Sequence, residues 1–181
     1  EYCYAHNIVS GISATEFGRD YPICRRDFVL MLYNAFGRPE VSADSPFTDI
    51  EDTAYYASAV AWASGYGLVS GVAPGIFAPD ELVTREQAAT ILHQAMSLLG
   101  FQDQETDLSV LAQFSDQDQI SDFARPHMAA LVSQGFFSGT GTGLNPKGSL
   151  TRAEMAVLLY RLLTAEQPES PDGSQEEPEP E

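Results

Sequence analysis

Three stretches of the chain repeat one pattern of apolar positions, the i, i+3, i+4, i+7 spacing that puts a single buried stripe on a helix. The first carries Phe28, Met31, Leu32, Ala35 and Phe36, the second Ala88, Ile91, Leu92, Ala95 and Leu99, and the third Met155, Leu158, Leu159 and Leu162. A shorter helical stretch precedes the second and third. One ends near Tyr66, the other buries Met128, Leu131 and Val132, and Gly65, Gly67 and Gly135 supply the stop signals. Between the members of each pair lies a Gly- and Pro-bearing segment, 70–82 and 138–149, too irregular for a strand and too regular in length for disorder. The pattern predicts helix, shaped loop, helix.

The units are related by sequence as well as by period. Phe47-Thr48-Asp49, Leu68-Val69-Ser70-Gly71, Ile76-Phe77-Ala78-Pro79 and Val83-Thr84-Arg85-Glu86-Gln87 recur in order as Phe114-Ser115-Asp116, Phe136-Phe137-Ser138-Gly139, Leu144-Asn145-Pro146 and Leu150-Thr151-Arg152-Ala153-Glu154. Stepping back sixty residues from the second unit aligns Tyr2 with Trp62, Ile8-Val9-Ser10-Gly11 with Leu68 to Gly71, Phe17 with Phe77, and Ile23-Cys24-Arg25 with Val83-Thr84-Arg85. The first unit lacks the Phe-x-Asp and most of its opening helix, so either the sequence starts inside a repeat or the unit is degenerate. One helix pair cannot bury its apolar face alone, so neighbouring units must share a core. The expectation is an all-α domain of three helix-loop-helix repeats at 1–40, 47–100 and 114–164, followed by a tail at 165–181.

The Thr84 and Thr151 tetrads read as capping boxes, a Thr N-cap answered by Gln or Glu three residues later. That role leaves the arginines unexplained. Arg25, Arg85 and Arg152 all stand at the first helical position, facing the positive end of the helix dipole. A guanidinium fork beside free helix amides can take a carboxylate or phosphate; the other reading is that each arginine folds back on a carboxylate such as Asp49 or Asp116 and pins the loop. Asp49 and Asp116, just ahead of helices, read first as amide caps and second as partners for sugar hydroxyls. Trp62, matched by Tyr2, is a core residue on one reading and an aromatic platform on the other.

Composition narrows the function. A formal net charge of −17 with nine Lys and Arg excludes clustered basic surfaces for nucleic acid or anionic lipid. Seven acidic residues fall between Glu166 and Glu181 among Pro, Ser and Gln, which predicts a solvated linker or tail. No apolar run of about 18 residues is present to span a membrane. No signal-peptide pattern follows Glu1, so localisation must be read from elsewhere. Cys3 and Cys24 allow at most one bridge and are read as free thiols. The run from Asp116 to Asp122 lacks the glycine and the final glutamate of a calcium loop. His6, His93 and His127 have no metalloprotease spacing and no nucleophile partner. A non-catalytic protein with no cofactor is expected.

The ordered motif over residues 2–164 resembles the S-layer homology family, most closely in the second and third units. The resemblance implies a pseudo-threefold bundle with grooves between neighbouring repeats, and a partner in the secondary cell-wall polysaccharide, often pyruvylated, of Gram-positive bacteria and their relatives. It implies an extracellular, wall- or S-layer-associated anchor for a cargo domain outside this chain. By position the grooves would use Arg25, Arg85 and Arg152, Gly11, Gly71 and Gly139, Asp49 and Asp116, with Trp62 as the aromatic. Cys24 in place of the capping Thr and Gln87 in place of Glu depart from the pattern and leave the working of at least one groove open. The rival reading is a self-assembly or protein-contact module that binds no glycan; a third is the accessory part of a cell-wall enzyme.

Overall fold

The computed structural model describes residues 1–41, 44–101, 106–139, 141 and 143–165. The acidic tail expected at 165–181 lies outside them beyond Ala165. Among the described residues are six α-helices: α1 (Tyr2–Ala5), α2 (Arg25–Ala35), α3 (Ala57–Gly65), α4 (Arg85–Leu98), α5 (Arg125–Ser133) and α6 (Arg152–Thr164). Short 3₁₀ turns at Leu108–Gln113 and Gln117–Gln119 precede α5. The described residues form no strand beyond isolated bridges, so the fold is all-α.

The striped helices α2, α4 and α6 turn their predicted faces inward. Phe28, Leu32, Ala88, Ala95, Met155 and Leu159 have no exposed surface at all. Each packs against the opening helix of the following unit, α2 on α3 and α4 on α5, and α6 closes the cycle onto α1. The closure explains how a four-residue α1 survives: Cys3 is buried and its thiol donates to the Ala156 carbonyl of α6 at 3.3 Å. A helix that short has no stability of its own.

At the centre the residues just before α2, α4 and α6 meet. Ile23 N–H donates to Leu150 O (2.9 Å), Leu150 N–H to Val83 O (2.9 Å), and Val83 N–H to Ile23 O (3.0 Å). The three bonds form a closed ring, and its side chains are at most 1% exposed. Around it each helix start is tied to the loop of the next unit. Arg25 and Arg26 amides donate to Glu81 and Pro79, Arg85 and Glu86 to Gly148 and Pro146, and Arg152 and Ala153 to Tyr21 and Arg19. The free amides of a helix N-terminus are thus satisfied across the repeat boundary.

The Thr84 and Thr151 capping boxes are both formed; Cys24 makes no side-chain cap. Ion pairs add specificity of order. Arg26 pairs with Asp80 at the first boundary and Lys147 with Glu86 at the second, with signs exchanged at matching positions. The buried Glu86 also accepts from the Ser121 amide and hydroxyl (3.0 and 3.1 Å), fixing the chain ahead of α5.

Asp49 and Asp116 do not cap the helices that follow them, as position alone suggests. Asp49 accepts from the amides of Phe77 (2.9 Å) and Ala78 (2.7 Å), and Asp116 from those of Leu144 (2.8 Å) and Asn145 (2.7 Å). Each carboxylate holds the inter-helix loop of its own unit where Ala78 and Asn145 take positive φ, +57° and +51°. For Asp49, burial raises the pKa, but the Phe77 and Ala78 amides and the Arg25 charge outweigh it and hold the carboxyl below its ordinary value. A carboxylate with a depressed folded pKa contributes stability above its unfolded pKa of about 3.9, and that contribution is lost as pH falls through the folded value. In thermal melts followed by circular dichroism, Asp49→Asn should melt lower than the parent at pH 7. The gap should narrow below about pH 4 as the parent loses its carboxylate. An unchanged gap across that range would dissociate the loop from Asp49.

Candidate functional site

The three arginines converge on equivalent places at the repeat boundaries, each leaving the first turn of one unit and entering the loop of the next. Arg25 Nε donates to Phe77 O (2.8 Å), Arg85 Nε to Leu144 O (2.8 Å), and Arg152 Nε to Phe17 O (3.1 Å). Every guanidinium also lies over an aromatic face: Arg25 over Phe77 at 4.7 Å, Arg85 over Phe137 at 5.1 Å, and Arg152 over Phe17 at 5.2 Å. Leu144 occupies the loop position of Phe17 and Phe77, so Phe137 from the Ser-Gly turn supplies the missing ring. The residues themselves are 5–7% exposed.

The arginines do not fold back on Asp49 and Asp116, whose oxygens are committed to loop amides. Beyond those carbonyls, Arg85 and Arg152 contact the Ser-Gly turn and the third helical residue of the next unit. Arg85 Nη2 donates to Ser138 O (3.2 Å) and its Nη1 pairs with Glu154. Arg152 Nη2 donates to Ser10 O (2.7 Å), and its Nη1 lies 3.9 Å from Asp27 Oδ2. Glu154 thus completes the Thr151 cap through one oxygen and neutralises Arg85 through the other. Sequence reasoning saw Glu154 only as part of a capping box. The signal for its second role was the unexplained arginine at the equivalent boundary.

The glycines shape these turns. A Cβ on Gly71, at φ +79°, would meet Ile76 O at 2.5 Å and Phe47 Cε1 at 2.7 Å; on Gly11 it would meet Ser13 O at 2.5 Å, and on Gly139 Gly143 O at 2.8 Å. The close approach that excludes a side chain is what brings the loop carbonyls to the arginines. Trp62, 3% exposed, packs between Tyr33, Phe36 and Tyr66 under the α2–α3 contact. Its indole belongs to the core beneath the site and is no surface platform.

Pockets open outward from this layer. One of about 240 Å³ is lined by Arg85, Phe137, Ser138, Gly139, Glu154 and Arg161. At the matching boundary of the first unit, a larger pocket of about 770 Å³ gathers Asn7, Ser10, Asn34, Arg38, Tyr55 and Ser58. Both are concave, mixed in polarity and edged by aromatic or aliphatic carbon, the composition that suits hydroxylated ligands. Cys3 and Cys24 are free, and burial pushes both thiols above their ordinary pKa.

Because Arg85 satisfies two carbonyls and one carboxylate in a nearly closed site, Arg85→Ala should cost about 2–4 kcal/mol in urea unfolding. Arg85→Lys should recover only part of that loss, since an ammonium cannot reproduce the fork. A cost below about 0.5 kcal/mol, the usual range for surface changes, would contradict this bonding scheme.

Residues 46–89 and 113–156 match the model of the S-layer homology domain. Among similar proteins, an endoglucanase of Bacillus sp. (strain KSM-635) is 31% identical over 88% of this chain and 17% of its own length. The surface-layer 125 kDa protein of Lysinibacillus sphaericus is 30% identical over 86% of the chain and 13% of its own length. A cellulosome-anchoring protein of Acetivibrio thermocellus is 29% identical over 78% of the chain and 32% of its own length. The chain spans less than a third of the length of these relatives, so the likeness is to one module of each. With both complete repeats matched and the third joined to them by the same bonds, the chain belongs to the S-layer homology family, an extracellular, wall-associated module for cell-surface anchoring.

Proposed function

We propose that this module anchors its parent protein by binding secondary cell-wall polysaccharide, including pyruvylated forms, in the clefts between repeats. The observation that carries the reading is the threefold recurrence of a buried arginine bonded to a loop carbonyl and laid over an aromatic ring of the neighbouring repeat, with pockets opening outward beside Arg85 and beside Ser10. Sugar hydroxyls need paired donors and acceptors, and anionic substituents need a cation held in a poorly hydrated place, where its attraction is screened least. The net charge of −17 repels a polyanion at long range, so affinity must come from contacts shorter than a Debye length of about 8 Å at physiological salt.

Within this reading the arginines face the ligand. Gly11, Gly71 and Gly139 let the turns approach them, Asp49 and Asp116 hold the loops, and Trp62 supports the α2–α3 boundary from below. The cargo lies in parts of the parent protein outside this chain. The names of the relatives, an endoglucanase, a surface-layer protein and a cellulosome-anchoring protein, fit a module that serves different cargoes.

The test is co-sedimentation with purified wall sacculi, intact and after chemical removal of the secondary polymer. Val157 lies in the Arg85 cleft and is 47% exposed, so Val157→Glu adds a charge there at little cost to folding. Binding should vanish from stripped sacculi and weaken about tenfold in the variant if that cleft holds an anion, the loss of a single charge-assisted contact. Equal sedimentation with stripped and intact walls would refute the reading, and self-association without sacculi would favour an assembly module.

A further inference from the structure

In the second and third repeats the loop between the helices is held by a Phe-x-Asp segment. Asp49 takes the Phe77 and Ala78 amides, and Asp116 those of Leu144 and Asn145. The phenylalanine two residues earlier rests its ring on the glycine of the Ser-Gly turn. A Cβ on Gly71 would meet Phe47 Cε1 at 2.7 Å, and one on Gly139 would meet Phe114 Cε1 at 2.9 Å. Phe47 also packs on Phe77, with ring centroids 5.4 Å apart.

The first repeat has the same loop. Ile12 N–H donates to Glu16 O (2.8 Å) as Val72 N–H does to Ile76 O (2.8 Å), and Tyr21 N–H to Gly18 O (3.1 Å) as Glu81 N–H does to Ala78 O (3.2 Å). Gly18 stands at φ +69°, matching Ala78 and Asn145. The amides of Phe17 and Gly18 thus occupy the places of the Phe77 and Ala78 pair, yet among the described residues neither has an acceptor. Gly18 is buried, and adjacent unpaired amides at such a position are rare in folded chains. The three atoms nearest a Cβ on Gly11 all belong to the loop backbone, with no ring among them. Phe17 is half-buried where Phe77 has no exposed surface.

The neighbouring helix face shows the same difference. Val29 of α2 and Ala89 of α4, on the helices that α3 and α5 cover, are 1% and 0% exposed, whereas the equivalent Ala156 of α6 is half-buried beside the short α1. Tyr160, one turn on, is 46% exposed. Between α1, the loop and α6 lies an apolar groove of about 710 Å³, lined by Tyr2, Cys3, Tyr4, Val9, Phe17 and Tyr160 among others.

We propose that the first repeat is a docking site for a polypeptide segment of the Phe-x-Asp type leading into an apolar helix. Its carboxylate binds the Phe17 and Gly18 amides, its phenyl ring seats against Gly11 and Phe17, and its helix lies along α6 beside α1. Two successive amides ahead of a left-handed residue make a concave anion seat, and the groove beside them offers aromatic and aliphatic carbon, a pairing that fits an acidic, aromatic peptide rather than a sugar. The fold already holds two such segments in the equivalent loops. The donors here are backbone amides and the partner is a peptide, so the proposal is independent of polysaccharide binding.

The probe is the second repeat's own segment, a synthetic peptide of residues 46–60, added to the ¹⁵N-labelled full chain. The Phe17 and Gly18 amide signals should move downfield and gain protection from exchange, with Phe77 and Ala78 unmoved. Peptides carrying Asp49→Asn or Phe47→Ala should bind about tenfold or more weakly, the scale of a charge-assisted hydrogen bond or a buried aromatic ring. Joined ahead of Glu1, the same segment should raise the thermal midpoint, and the Asp49→Asn form of the added copy should lose most of that rise. A peptide that leaves Phe17 and Gly18 unmoved together with a fused copy that leaves the midpoint unchanged would overturn the proposal. Binding indifferent to Asp49→Asn, or shifts at Phe77 and Ala78 in place of Phe17 and Gly18, would do the same.

Discussion

Everything else in the structure depends on three backbone hydrogen bonds that no pair of repeats can make. Ile23, Val83 and Leu150 each donate to one partner and accept from the other, so the ring closes only when all three units are present. Its members are buried, and a buried peptide group without a partner costs about 1–3 kcal/mol. Opening any one boundary exposes a donor and an acceptor together with the apolar side chains around them. The same cyclic logic extends outward through the helix-start amides to the α6–α1 contact. This is why a first unit with a four-residue opening helix still folds with the others.

The arginines are the second layer of that closure before they are anything else. A cation at the first position of a helix is unfavourable toward the dipole by a few tenths of a kcal/mol. Here it is repaid by carbonyls and an aromatic face across the boundary, and at two boundaries by a carboxylate. The cleft therefore has its charge fixed by the fold. The carboxylate is where the three boundaries diverge: the third residue of the neighbouring helix is Glu154 beside Arg85 and Asp27 beside Arg152, but Gln87 in the helix that follows Arg25.

Much of the fold was legible in the sequence because it is written in side-chain periodicity. The stripes of α2, α4 and α6, the Thr84 and Thr151 capping boxes and the glycine stops carry local signals, and the tandem motif placed all three arginines at helix starts. What could not be read is non-local or carried by the backbone. The central ring uses peptide groups, which any non-proline residue supplies, so no residue type marks it. Asp49 and Asp116 reach loop amides 28 or 29 residues ahead, beyond any capping rule. The 3₁₀ turn at Leu108–Gln113 buries Leu111 without a periodic pattern to announce it. Trp62 was ambiguous because helical spacing does not say which side of a short helix α3 its neighbours will cover. Gln87 was visible as a departure from the motif, but that the matching Glu154 faces an arginine from another repeat was not.

Amide hydrogen exchange at Ile23, Val83 and Leu150 under native conditions tests the closure most directly. If the ring holds the three repeats as one cooperative unit, the three amides exchange at matching opening free energies that equal the global unfolding value and fall together as urea is added. Exchange of the Ile23 amide at a distinctly lower free energy, with Val83 and Leu150 still protected at the global value, would show the first repeat opening independently and would contradict the account.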